Sequence, residues 1–156
     1  MGLNVAVRRE LLPAKPFLQG DEGPRVQSLG VQVSVRASTE QTGGAFNLFD
    51  VVCPKGFATP LHIHYAEDVA VLVLEGELEC IWGDERGRAR RGSYFFQPRG
   101  TPHGFRVEGN VPARILYMTL PGGFDQFVLE GAFLTRNLKA TAAARHKIEI
   151  LGPLPE

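Results

Sequence analysis

His62, His64 and His103 are three of the chain's four histidines, and their spacing suits a single metal ion. In a β-strand, residues two apart point to the same face, so His62 and His64 would meet one ion together. His103 would approach it from another strand. Imidazole suits divalent iron, manganese, nickel, cobalt, copper and zinc. The chemistry on offer is that of a transition ion with coordination positions left for a small molecule. A lone histidine in a strand is ordinarily just a hydrogen-bonded residue; three at this joint spacing rarely arise that way. His146, in an alanine-rich segment, reads as a solvated surface residue.

The elements that must hold these rings are short strands. Val31, Val33 and Val35 alternate with Gln32, Ser34 and Arg36, the period of a half-buried strand. Further strands are expected over Phe46–Val52, Leu61–His64, Val69–Leu74, Glu77–Trp82, Gly92–Gln97, Gly104–Val107 and Ala113–Leu120, each bounded by Gly, Pro or a polar turn. The continuous apolar run from Val69 to Leu74 predicts a strand buried on both faces. Residues 1–30 are broken by Pro13, Pro16, Gly20, Gly23 and Pro24, with one short strand expected near Leu3–Val7. Phe124, Phe127, Val128 and Phe133 carry helical spacing, predicting a short helix over one end of a barrel. The stretch from Leu138 to Lys147 predicts a second helix, and Ile148–Glu156 an extended tail. Eight to ten short strands describe an all-β sandwich or barrel.

Composition narrows the partners. The 156 residues suffice for one domain with a real core. Seventeen basic and seventeen acidic residues cancel, so neither nucleic acid nor an anionic membrane is an expected partner. Arg86, Arg88, Arg90 and Arg91 form the one basic cluster; Gly83, Asp84, Glu85 and Gly87 around them predict a solvated hairpin turn. Cys53 and Cys80 do not make a disulfide framework and read as small buried hydrophobes. The N-terminal MGLNVAVRRELLP lacks the apolar core of a signal peptide, which points to a cytoplasmic protein.

Gly56, His62, His64 and Gly76, followed by Gly92, Pro98, Gly100 and His103, resemble the two motifs of the cupin family. The stretches PLHIHYAED, VLEGELE and PRGTPHGFR are similar to small single-domain cupins named after quercetin dioxygenase, over about Gly30 to the end. The resemblance implies a double-stranded β-helix, the cupin jelly-roll barrel, with one or two short C-terminal helices. The barrel core would run over about 30–120, with an N-terminal arm at 1–29 and a helical segment and tail at 121–156. It implies a divalent transition ion held by His62, His64 and His103, with a glutamate as fourth ligand. Val69 stands where that glutamate belongs, four residues after His64 and six before Gly76. Asp68 is the possible substitute ligand, but a one-residue slip turns a strand side chain to the opposite face. Glu67 is one residue further away.

Without the acid, three neutral imidazoles leave the ion its full charge of about +2, which favours water or an anionic ligand. Val69, Tyr94, Phe96, Phe105 and Tyr117 are candidates to line a substrate pocket. Two functions stay open. One is a metal-dependent, dioxygenase-type oxidoreductase acting on a small aromatic or enolic compound. The other is a non-catalytic ligand-binding or regulatory cupin with a degenerate site. A sugar isomerase fits less well, because the expected interior is mostly apolar. Cupins of this size commonly pair, so a homodimer is expected, with the N-terminal thirty residues as a possible exchanged arm.

Overall fold

The computed structural model describes residues 17–28, 30–130 and 140–156. The strand expected near Leu3–Val7 lies outside them. In chain order the elements are β1 (Arg25–Ser28), β2 (Val31–Ala37), a one-turn helix α1 (Thr39–Thr42), β3 (Asn47–Cys53), β4 (Leu61–His64), β5 (Asp68–Glu75), β6 (Glu77–Trp82), β7 (Glu85–Arg90), β8 (Tyr94–Gln97), β9 (His103–Glu108), β10 (Ala113–Leu120), α2 (Phe124–Leu129), α3 (Ala140–Arg145) and β11 (Ile148–Gly152). They form a six-stranded sheet, β1-β2-β3-β10-β5-β8, and a five-stranded sheet, β11-β4-β9-β6-β7. The chain therefore adopts the all-β jelly roll that its motifs implied.

Alternation builds the core between the sheets. Val31, Val33 and Val35 of β2, Phe49 and Val51 of β3, and Val69, Val71 and Val73 of β5 all point inward. Leu78, Cys80, Phe105 and Val107 meet them from the other sheet. Each such side chain contributes about 1.5–3 kcal/mol by leaving water. Gly76 closes the β5–β6 turn at φ 80°. A Cβ there would come within 2.7 Å of the Pro112 carbonyl oxygen, so the turn requires glycine.

Two expectations fail on the faces of strands, and one strand was not expected. β5 is not buried on both sides: Leu72 is 38% exposed, because the outer face of its sheet carries no covering layer among the described residues. The arginine cluster is not a turn but most of β7, paired with β6 from Glu77↔Arg90 to Trp82↔Glu85. Its charges sit on the outer face and only Ala89 is buried, so the alternation was hard to see. The unexpected strand, β1, occupies the stretch left unassigned before Gly30 and pairs with β2.

A polar network fixes α2 against the barrel. The Asp125 carboxylate accepts from the Thr39 backbone N–H at 2.8 Å and the Thr39 hydroxyl at 2.6 Å. Asn47 Oδ1 accepts from the backbone N–H groups of Gly123 and Asp125 at 3.1 and 3.0 Å. These bonds satisfy N–H groups at the start of α2 that have no partner within the helix. They hold Phe124 inside the barrel, its ring 5.2 Å from that of His64.

Candidate metal centre

β4 supplies His62 and His64, and β9 supplies His103, which pairs in register with His62. The second motif is tied to the first by the Gly100 N–H, which donates to the His64 carbonyl at 2.8 Å. The three rings are buried, and each offers a ligand atom within 4.8 Å of the others. Each ring is also oriented through Nδ1. His62 Nδ1 lies 2.8 Å from the Pro60 carbonyl, and His103 Nδ1 lies 2.9 Å from the Thr101 carbonyl. A carbonyl only accepts, so both nitrogens carry the proton and both Nε2 atoms are bare. His103 Nε2 is buried with no partner. Burial, reinforced by the neighbouring rings, holds His62 well below the ordinary imidazole range and His103 down to about 4. Neutral, pre-aimed imidazoles are what a divalent ion requires. The donor set fits a transition ion.

The three acidic or acid-replacing positions part company. Glu67 is buried and its carboxylate meets His64 Nδ1 at 2.5 Å. Asp68 turns to the rim instead. It accepts from the Arg99 backbone N–H at 2.9 Å and from the guanidinium at 3.1 Å, which holds its carboxyl below the usual range. Asp68 is thus outside the group of metal-competent side chains. Val69 is fully buried in the core, in register between Thr119 of β10 and Gln97 of β8.

Among the described residues, two small cavities adjoin the rings. One, of about 30 Å³, lies between His62, His64, Phe124 and Phe127. The other, of about 20 Å³, lies between His62, His103, Gln97, Phe105 and Tyr117. Each has room for about one water-sized molecule. Phe105 and Tyr117 line the second cavity, and the Tyr117 hydroxyl stands 3.4 Å from His64 Nε2. Burial raises the Tyr117 phenol, so it stays protonated as a donor. Val69 lines neither cavity. Tyr94 and Phe96 do not line them either: they are 65% and 49% exposed on the outer face. The inward positions of β8 are Phe95 and Gln97, one step away in the strand. Gln97 was missed by the sequence reading. Its amide nitrogen is buried without a partner. The sequence carried no signal for Gln97, because YFFQ shows no alternation.

Residues 49–119 match the family described as the cupin domain. This is a cupin domain. Quercetin 2,3-dioxygenase of Bacillus subtilis is 36% identical over 107 residues, covering 68% of this chain and 31% of that protein. An uncharacterised protein of Methanocaldococcus jannaschii is 32% identical over 75 residues, covering 48% of this chain and 60% of its own length. The chain thus spans about a third and three fifths of these two relatives. The structure of KdgF from Halomonas sp. superposes with a TM-score of 0.62 at 23% identity, covering 70% of this chain and 98% of that one. At that identity the likeness shows the cupin fold alone. Within the cupin domain the three histidines lie together, with Phe124 of α2 packed against His64.

Proposed function

We propose that this cupin domain binds one divalent transition ion through Nε2 of His62, His64 and His103. The carrying observation is that all three rings are anchored at Nδ1 while their other nitrogens converge in a buried site. The ion would supply Lewis acidity and a docking point for a small oxygen-bearing compound. The chain's own residues would do the rest. Phe105 and Phe124 exclude water, the Tyr117 phenol donates a hydrogen bond at the ion's edge, and the Gln97 amide offers a second donor. The similarity to a quercetin dioxygenase supports an oxygenase reading, with a small enolic compound favoured over a polycyclic one. The two cavities beside the rings, of about 30 and 20 Å³, suit a small compound better than one of several rings. Oxygen uptake with enolic and aromatic candidates, on protein loaded with iron, manganese or nickel, tests this. Turnover of none of them, with saturable binding of a compound recovered unchanged, would favour the ligand-binding alternative. Val69 in the acid's place and the tight cavities are the observations behind that second reading.

We also propose a homodimer and a cytoplasmic location. Leu72, Tyr94 and Phe96 share the outer face of the six-stranded sheet and are all exposed. Large exposed apolar patches usually mark an interface. Cys53 and Cys80 are free and buried, and burial pushes both thiols up to about 12, consistent with inert cysteines in a reducing compartment. Sedimentation of the parent and of a Tyr94→Ser/Phe96→Ser variant checks the pairing: the parent should be dimeric and the variant monomeric.

A further inference from the structure

The buried Glu67 has no role in the metal set itself, yet it is placed against it. Its carboxylate meets His64 Nδ1 at 2.5 Å, whereas His62 and His103 have only neutral carbonyls there. Among the described residues no other carboxylate bonds to these rings. Asp68, its neighbour, is held at the rim by Arg99. A carboxylate on the far nitrogen fixes the ring and makes the metal-facing nitrogen a stronger donor. A hydrogen bond to an ionised acceptor is also about twice as strong as one to a neutral carbonyl.

We infer that Glu67 is a positioning residue that compensates charge through His64, in place of a carboxylate ligand at position 69. The negative charge has moved from direct coordination to one imidazole away. It offsets part of the ion's +2 charge while leaving the fourth coordination position open for an exogenous ligand. Position 69 is then free to be apolar, and Val69 packs into the core at no cost to the electrostatics. The inference rests on the proposed three-histidine site and deepens it.

The test is cobalt(II) and zinc(II) affinity, measured by competition with a chromophoric chelator. Glu67→Gln should bind both ions 10- to 100-fold more weakly than the parent and shift the cobalt ligand-field bands. The double variant Glu67→Gln/Val69→Glu should recover most of the affinity by restoring a carboxylate. Equal affinity and unchanged bands in Glu67→Gln would overturn the inference while leaving the metal site standing. A parent that takes up neither ion would overturn both. A readout needing no variant is the imidazole NMR of the zinc-loaded parent. The His64 Nδ1 proton should be clearly the most deshielded of the three; three similar shifts would contradict the inference.

Discussion

The two walls of the barrel differ at the level of the site. The five-stranded wall carries all three histidines, and every Nδ1 on it has an acceptor. The six-stranded wall opposite presents Asn47, Thr119, Val69 and Gln97 in one inward row across β3, β10, β5 and β8. Asn47 is fully used in anchoring α2, but Gln97 has an amide nitrogen with no partner, and Val69 has nothing to offer an ion. The histidine wall has every ring anchored and keeps His103 Nε2 bare, whereas the opposite wall is left unfinished at Gln97. On the proposed reading, one sheet would hold the ion and the other would offer the Gln97 amide to its ligand.

Placing an acid on the unfinished wall tests that division most severely. Val69→Glu would bury an uncompensated carboxylate in the metal-free protein, costing about 3–5 kcal/mol. Metal should recover much of that loss, read as the difference between denaturation midpoints with chelator and with zinc. A variant as stable as its parent without metal would mean that position 69 is solvated, against its full burial. Phe124→Ala comes next. Removing a buried ring that touches His64, Phe49 and Tyr117 should cost about 3–4 kcal/mol. The same change should admit larger ligands, which fluorescent-ligand titration would detect.

pH separates the walls more gently. His62 and His103 have imidazoles lowered by burial, so between about 4 and the ordinary 6.5 the unfolded chain binds more protons than the folded one. The metal-free protein should hold its full stability above 6.5 and lose it progressively as pH falls towards 4. Urea midpoints with chelator at pH 7.5 and 4.5 check this. A flat profile would show that the rings are solvated. The smallest effect belongs to Gln97→Leu. Replacing an unpartnered buried amide by an apolar side chain of similar size should leave the metal-free protein unchanged or about 1 kcal/mol more stable. Small-ligand affinity should fall in the same variant, and a loss of stability instead would mean the amide already has a partner.

The sequence made the histidine wall readable because its signal is local. His62 and His64 share parity, and the Gly and Pro turns fix where β4 and β9 begin. The other wall was harder to read. YFFQ in β8 has no alternation, so Tyr94 and Phe96 were assigned to the interior when Phe95 and Gln97 hold it. VAVLVL in β5 likewise hid its outer face, and the charges of ERGRAR disguised β7 as a turn. The sequence shows Glu67 only as an acid near the ligand positions. Its bond to His64 depends on the shape of the Tyr65–Asp68 turn, which no periodicity reveals.

The central claim is that three histidines without a ligand carboxylate hold an ion. Elemental mass spectrometry of tag-free protein, with His62→Ala beside it, addresses this directly. The account predicts about one transition ion per chain in the parent and almost none in His62→Ala. A parent that stays metal-free after incubation with zinc, manganese, iron and nickel at neutral pH would contradict it.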